Sequence, residues 1–247
     1  MGFDPQIFFN ALISRTLREA VLITISLTFV AFGIGMVLGL LVALARQSRF
    51  AVLRAFGWTY IWLFRAIPTV VLLFFVWYAL PQLIPALRGP DFLPFYAAAI
   101  GLSVNEAAYA AEIFRGGLLS IDDGQRLAAR ALGMQPAKVF RRVVAPQLVR
   151  VVIPPVANDF ITLLKLTSLA YVVSLREVMT ATQTQVSSTF RYAEWYGAAA
   201  VYYLVLVSIF MVAQAWFERR YVWTSTARGV GGARVARGGI LRGFGER

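Results

Sequence analysis

The sequence predicts an all-α integral membrane protein, with about five transmembrane helices and a two-helix loop on the cytoplasmic side. Hydropathy is the first observation behind this prediction, because 59% of the 247 residues are hydrophobic. The second is a set of five apolar segments, each supplying the roughly 20 residues that cross a bilayer. These segments lie near residues 20–45, 57–82, 94–119, 152–174 and 196–218. A soluble protein of this length would have too little polar sequence to cover so many apolar helices.

Glycine and proline distinguish the first two spans. Gly33, Gly35 and Gly39 in the first span are typical of close contact between membrane helices rather than of a pore lining. Arg65 and Pro68 interrupt the second span, and proline next to a charge often marks a broken or kinked helix. Before the first span, the segment PQIFFNALISRTL is predicted to lie as an amphipathic helix at the outer surface.

The third span contains polar residues at its middle and at its inner end. Asn105 and Glu106 form a polar pair near the middle, with Tyr109 about one helical turn beyond Glu106. Glu112 and Arg115 are three residues apart at the inner end, which is the spacing of an ion pair on one helix. Because ionisable residues are costly in a membrane, Glu106 is a candidate functional residue.

Between the third and fourth spans lies a polar, basic insert, residues 120–150, which we call the knob. Ser120 is expected to cap a first helix that ends at Gly133. Pro136 is expected to begin a second helix, which Pro146 interrupts. Apolar residues share one face of each helix: Leu127, Ala128, Ala131 and Leu132 in the first, and Val139, Phe140, Val143 and Val144 in the second. The pattern predicts an apolar docking surface with basic residues at its edge.

The fourth span has the most ordered polar stripe of the chain. Asn158, Thr162 and Lys165 recur at spacings that place them on one helix face, with Asp159 beside them. Such residues have two interpretations that the sequence leaves open. They either bind a polar substrate or form hydrogen bonds between helices, which is a common use of polar residues in membranes.

Positive charge is concentrated in alternate loops. The first loop has Arg46, Arg49 and Arg54, and the knob is also strongly basic, whereas basic residues in the second and fourth loops are balanced by acids. The positive-inside rule therefore predicts a cytoplasmic knob and C-terminus, with the N-terminus outside. Residues 223–247 are expected to form a basic, disordered tail next to anionic lipid headgroups. This topology explains the net charge of +12 without a nucleic-acid partner.

The knob resembles the coupling loop of ABC importer permeases. That motif reads Glu-Ala-Ala, three residues, Gly, nine residues, a branched apolar residue, any residue and Leu-Pro. Ala128, Ala129, Gly133, Val143 and Pro146 fall at those spacings, while Leu127 and Ala145 stand in place of the motif's Glu and Leu. The flanking stretches AAYAAEIFRGG, GQ, ALGM, PQ, NDFITLLK and TSL are similar to the polar amino acid branch of the family. The resemblance covers roughly residues 10–222.

The resemblance implies a type I ABC importer permease, with residues 1–222 forming the transmembrane domain around a coupling loop at about 120–150. It also implies a bacterial inner-membrane location and three protein partners: a cytoplasmic ABC ATPase dimer, a second permease subunit, and a periplasmic or tethered substrate-binding protein. The ATPase would dock on seven residues of the knob: Leu127, Ala128, Ala129, Gly133, Met134, Phe140 and Pro146.

Several chemistries are excluded by composition. Without cysteine or histidine, the chain lacks the usual zinc ligands and the nucleophile pairs that depend on histidine. Neither Lys138 nor Lys165, the only lysines, lies in a phosphate-binding Gly-Lys-Ser/Thr loop. We therefore expect a non-catalytic transport subunit that holds no cofactor or metal, with ATP and Mg²⁺ bound by the partner ATPase.

The intramembrane charges suit a zwitterionic substrate, because an amino acid needs an acid for its ammonium group and a cation for its carboxylate. The candidate substrate-binding residues are Glu106, Asp159, Lys165, Asn158, Thr162 and Arg65. An alternative is an ion-coupled secondary transporter that uses Glu106, Asp159 and Lys165 as a relay. A membrane scaffold organised by the basic tail is a third hypothesis, and it predicts no substrate-dependent activity.

Overall fold

A computed structural model describes residues 2–221, and within that range the chain is helical and has no strand. The predicted all-α class is confirmed. In addition to a short 3-10 helix, Pro85–Arg88, nine longer helices occur in the described range: α1 (Pro5–Leu12), α2 (Arg15–Arg46), α3 (Ala51–Ala66), α4 (Thr69–Leu83), α5 (Pro94–Leu119), α6 (Asp123–Ala131), α7 (Pro136–Val173), α8 (Val178–Thr189) and α9 (Tyr192–Tyr221).

Length and hydropathy identify fewer spans than the sequence pattern predicts. The helices α2, α7 and α9 each contain an apolar stretch long enough to cross a membrane, and the bent pair α3 and α4 makes a fourth. The 26-residue helix α5 is missing from this set because polar residues such as Asn105 and Glu106 lower its hydropathy. Thirteen residues of α5 are buried, so protein rather than lipid surrounds much of it. A central helix of this kind needs no strongly apolar surface.

The second predicted span, 57–82, is two helices rather than one. The axes of α3 and α4 differ by 102° across a short break that contains Ile67 and Pro68. Proline lacks an N–H group and disfavours helical geometry in the residue before it. Ile67 is accordingly extended, with φ −81° and ψ 127°. The bend places the exposed side chain of Arg65 next to the corner of a broken span.

Two of the three glycines in the first span allow α2 to lie against α5. A Cβ atom added to Gly35 would lie 2.5 Å from Cγ of Glu106, and one added to Gly39 would lie 2.6 Å from Cβ of Ala110. No atom lies within 4 Å of the corresponding position at Gly33. The predicted close contact is therefore confirmed for Gly35 and Gly39, whereas Gly33 takes no part in it.

This difference gives a matched pair of variants. Gly39→Ala is expected to lower the stability of the folded subunit by about 1–3 kcal/mol, because the new methyl group would displace backbone atoms of α5. Gly33→Ala changes the same helix in open space and is expected to stay within about 1 kcal/mol of the wild type. Thermal unfolding of the two purified variants in detergent measures the difference. Equal melting temperatures would contradict the assigned packing.

Most of the predicted amphipathic segment before the first span forms α1, which is attached to α9, whereas the last residues of that segment begin α2. Ala11 of α1 is buried in a cluster that includes residues of α9. The backbone N–H of Asp4 donates to Oε1 of Glu194 over 2.9 Å. The hydroxyl of Tyr202 donates to the carbonyl oxygen of Leu12 over 2.6 Å. These two hydrogen bonds secure both ends of α1 to the last span.

Candidate functional site

The knob begins at a different cap from the predicted one. Asp122 precedes α6, and its Oδ1 accepts a hydrogen bond from the backbone N–H of Gly124 over 2.8 Å. Ser120 still belongs to the end of α5, where its hydroxyl donates to the carbonyl oxygen of Gly117. The prediction that Ser120 caps this helix is therefore wrong. Gly133 follows α6 with φ +78°, a left-handed conformation that favours glycine, so the predicted end of the helix is confirmed.

The second helix of the knob is continuous with the fourth span. Pro136–Val139 is α-helical, Phe140–Val144 is a π-helical turn, and the α-helix resumes over Ala145–Leu166. The prediction that Pro146 interrupts this helix is wrong. The wider hydrogen-bond register of the π-helical turn accommodates a proline in the first turn of the resumed helix. The second half of the knob and the fourth span therefore belong to one helix, α7.

Apolar residues of the knob divide between its interior and its surface. Ile121, Ala129, Val139 and Val144 form a small core, and Met134 packs against it. Ala129 and Met134, two of the predicted docking residues, therefore stabilise the knob itself. The other five, all exposed, are Leu127, Ala128, Gly133, Phe140 and Pro146. Leu132 is also exposed, by 84% of its surface, although the prediction did not include it among the docking residues.

The structure brings two of the predicted intramembrane charges together. Glu106 of α5 is only 3% exposed, and its carboxyl group lies close to the carboxyl group of Asp159 on α7. No donor in residues 2–221 bonds to Oε1 of Glu106 or Oδ2 of Asp159. Two neighbouring carboxylates repel each other unless a proton or a cation lies between them. This carboxyl pair is thus suited to hold a proton or to bind a positively charged group.

The polar stripe of the fourth span remains uncovered within this subunit. Asn158, Thr162 and Lys165 are all exposed on α7, as expected for residues on one face. The hydroxyl of Thr162 donates to the carbonyl oxygen of Asn158 in the same helix over 3.0 Å. Hydrogen bonds from these side chains to another helix are absent from residues 2–221, so the helix-bonding interpretation has no support there. A polar stripe at membrane depth requires water or another protein surface opposite it.

Arg65 lies against an aromatic ring rather than an acid. Its guanidinium carbon is 5.4 Å from the ring centroid of Tyr109, a distance typical of a cation–π contact. Neither Arg65 nor Lys165 forms an ion pair with a residue in the described part of the chain. The acids Glu106 and Asp159 thus lie next to each other, and neither is neutralised by an ion pair with Arg65 or Lys165.

Asn105 connects the two halves of the broken span. Its Nδ2 donates to the carbonyl oxygen of Phe64 over 3.0 Å, and its Oδ1 accepts from the hydroxyl of Thr69 at 3.4 Å. Pro68 cannot donate the N–H that would normally bond to Phe64, so Asn105 replaces that donor. The sequence signal for this role is the proline four residues after Phe64, which leaves a carbonyl without its helical partner.

The predicted ion pair at the inner end of α5 is present and includes a third residue. Nη2 of Arg115 lies 2.7 Å from Oε2 of Glu112. Arg46, at the end of α2, also bonds to Glu112. The cluster joins α2 to α5 just before the knob, which favours a structural role for Glu112.

The comparisons agree with a helical membrane permease. The model of the family described as "Binding-protein-dependent transport system inner membrane component" matches residues 35–223. The chain therefore belongs to this family and is a multi-pass inner-membrane component of a transport system. It is a transport subunit and not an enzyme, and the family implies an ATPase and a substrate-binding protein as partners.

Three relatives have similar sequences over most of their length. The chain is 41% identical to the "Probable amino-acid permease protein YxeN" of Bacillus subtilis, over 83% of this chain and 90% of the relative. It is 35% identical to the arginine transport system permease protein ArgU of Corynebacterium glutamicum, over 91% and 73%. It is also 35% identical to the octopine transport system permease protein OccM of Rhizobium radiobacter, over 89% and 93%.

Solved structures share the fold. A crystal structure of an amino acid ABC transporter with histidines contains a chain that is 32% identical, with a TM-score of 0.79, over 89% of this chain and all of that chain. A chain of the MetNI methionine ABC transporter, in an inward-facing conformation, is 21% identical with a TM-score of 0.64, and it supports the fold alone. That match covers 90% of this chain and 100% of that chain.

Proposed function

We propose that this chain is the permease subunit of an ATP-driven ABC importer for polar amino acids. The observation that carries the proposal is the Glu106–Asp159 carboxyl pair, in which Glu106 is buried and Asp159 half-buried, at membrane depth beside an uncovered polar stripe. The names of the relatives support the substrate class, since they include an amino-acid permease, an arginine permease and an octopine permease.

In this proposal, the two ends of a zwitterionic substrate meet opposite charges in the pathway. The carboxyl pair of Glu106 and Asp159 binds the ammonium group or another cationic group of the amino acid. Lys165 and Arg65, which have no acidic partner in the described part of the chain, attract its carboxylate. Asn158 and Thr162, on the same exposed face as Lys165, exchange hydrogen bonds with the substrate or with water along the pathway.

The knob is proposed to dock a cytoplasmic ATPase. Its exposed residues Leu127, Ala128, Gly133, Phe140 and Pro146 form the contact surface, while Ala129 and Met134 hold that surface in shape from below. ATP and Mg²⁺ bind to the ATPase dimer, and this chain holds neither. The continuous helix α7 carries motion from the knob to Asp159 and the polar stripe.

The assembly follows from the family and from the charge distribution. Two permease subunits, either two copies or two related chains, would enclose the pathway, and a periplasmic or tethered binding protein would deliver the substrate. The N-terminus lies outside and the C-terminus inside, according to the basic loops. The permease domain is assigned to residues 1–222, and the predicted tail, 223–247, lies outside the described residues.

Transport requires that ATP and substrate each favour one conformation of the subunits. Closure of the ATPase dimer would move the knobs together and turn the helices from an inward-facing to an outward-facing arrangement. Hydrolysis of ATP would return the helices to the inward-facing arrangement. The break between α3 and α4, bridged by Asn105, lets the second span change direction next to the pathway without leaving the carbonyl of Phe64 unpaired.

The test is ATP hydrolysis by the complex purified through this subunit and reconstituted in lipid. The binding protein and a panel of amino acids are added one at a time. Stimulation by one group of polar amino acids is expected, and it would identify the substrate class. A subunit that purifies without an ATPase and moves amino acids along a proton or sodium gradient would instead establish the ion-coupled alternative. Absence of any substrate-dependent activity would favour a scaffold.

A further inference from the structure

The knob has an excess of positive charge that the subunit itself does not neutralise. From Gly124 to Arg150 the sequence has six basic residues and no acidic one. Among contacts within the described residues, only Arg126 of these six has an acidic partner, since its Nη1 lies 3.3 Å from Oδ1 of Asp123. Four exposed bases form no ion pair with a residue in the range 2–221, and we call them the basic rim: Arg130, Lys138, Arg141 and Arg142.

Apolar side chains on the same two helices as the basic rim are themselves uncovered. Leu127 is 64% exposed and Phe140 is 51% exposed. Lys138, Arg141 and Arg142 line a groove of about 470 Å³ on α7. A second cavity, of about 260 Å³, is lined by Arg130 and Phe140 among others and lies between the knob and the inner end of α2. The surface thus combines exposed apolar side chains, two recesses and cations without ion-pair partners in the described residues, which is a composition suited to a protein interface.

The length of α7 is sufficient to carry this surface beyond the hydrocarbon core of the membrane. The helix has 38 residues, or about 57 Å at 1.5 Å per residue, whereas the hydrocarbon core is about 30 Å thick. If the predicted span begins near Val152, the sixteen residues from Pro136 reach about 24 Å beyond the core. Lys138 lies near the far end of that extension. Arg150 lies near the membrane boundary and is suited to lipid headgroups instead.

We propose that the knob docks on an acidic surface of its ATPase partner, with carboxylates opposite the basic rim around an apolar socket for Leu132 and Phe140. This inference rests on the docking function proposed above and specifies the chemistry of the partner. Apolar contact supplies most of the affinity in such an interface, whereas charge pairs set the orientation and the association rate. Leu127, which occupies the position of the motif's Glu, adds no acidic charge to this surface.

The experiment measures binding of the separately purified ATPase to the full-length subunit in nanodiscs. Raising KCl from low to high concentration is expected to weaken the wild-type complex at least about tenfold, because salt screens charge pairs at the edge of an interface. The double variant Arg141→Glu with Arg142→Glu is expected to lose about tenfold or more in affinity at low salt and to lose most of the salt dependence. The matched control, Arg49→Glu with Arg150→Glu, reverses two charges nearer the membrane and should bind like the wild type.

The possible outcomes distinguish failure of the docking function from failure of the acidic partner surface. If the wild-type subunit does not bind the ATPase at any salt concentration, the docking function itself fails. If it binds, but neither salt nor reversal at Arg141 and Arg142 changes the affinity, docking stands and the acidic partner surface is overturned. If the control variant is equally impaired, or if binding requires phosphatidylglycerol rather than phosphatidylcholine nanodiscs, the basic rim acts on lipid and the proposal is also overturned.

Discussion

Replacing Glu106 by glutamine is expected to reduce amino acid uptake by roughly 30- to 1000-fold, which corresponds to about 2–4 kcal/mol. Glutamine keeps the shape of the side chain, so its packing against Gly35 is preserved. The loss arises because the amide cannot supply the negative charge that compensates the cationic group of the substrate. Asp159→Asn is expected to have an effect of the same order. Uptake of labelled amino acid into proteoliposomes measures both variants, with elution on size-exclusion chromatography as the check on folding.

The double variant distinguishes a shared site from two separate ones. If Glu106 and Asp159 bind the same cationic group, removing the second carboxylate should add little to the loss caused by the first. Glu112→Gln is the matched control on the same helix, because Glu112 bonds to Arg46 and Arg115 rather than facing Asp159. It is expected to lower the yield of folded protein while leaving substrate affinity unchanged. Uptake at the wild-type rate by Glu106→Gln would refute the assignment of the pair to the substrate.

Replacing Gly133 by valine is expected to abolish transport while the subunit stays in the membrane. The backbone at Gly133 has φ +78°, and a residue with a β-carbon adopts this conformation at a cost of about 1–2 kcal/mol or more. A β-branched residue is especially unfavourable there. The turn that separates α6 from α7 would therefore change, and with it the relative position of Leu127 and Phe140. Co-purification of the ATPase and substrate-stimulated hydrolysis measure the loss of coupling.

Asparagine at the same position is the control for backbone strain. Asparagine tolerates the left-handed conformation, and no atom of the subunit lies within 4 Å of the position of an added Cβ. Gly133→Asn is therefore expected to keep most of the transport activity if the turn is what matters. Loss in both variants would show that the ATPase covers Gly133 directly. Normal transport by Gly133→Val would argue against any docking role of the knob.

The helix ends of the knob show which helix boundaries local capping rules can predict. Gly133 could be predicted as the end of α6, because the demand for a left-handed residue after a helix is local and glycine meets it. Ser120 was a reasonable cap on the same grounds, yet α5 extends to Leu119 and Asp122 caps the next helix. Pro146 likewise suggested a stop, which the π-helical turn over Phe140–Val144 avoids. The continuity of the knob with the fourth span depends on that turn.

The candidate site also combines features that the sequence predicts with features that depend on packing. Glu106, Asp159, Lys165 and Arg65 could be identified from the cost of a charge in a membrane, which needs no knowledge of packing. Which of them meet could not be predicted, because it depends on how α5 lies against α2 and α7. Glu106 reaches Asp159 where Gly35 admits its side chain, while Arg65 turns to Tyr109. Asn105 was recognisable as polar, but its partner Phe64 lies 41 residues away on a different helix.

Membrane location, helical class, family and the identity of the candidate charges were determined at the level of the sequence, since hydropathy, residue spacing and motif order are properties of the chain. The tertiary structure alone decided three matters: the pairing of Glu106 with Asp159, the bridging of the broken span by Asn105, and the division of the knob's apolar residues between a buried core and an exposed surface. Each depends on which faces of distant helices lie opposite one another. That arrangement is set by close packing at residues such as Gly35 and Gly39, and a linear pattern does not contain it.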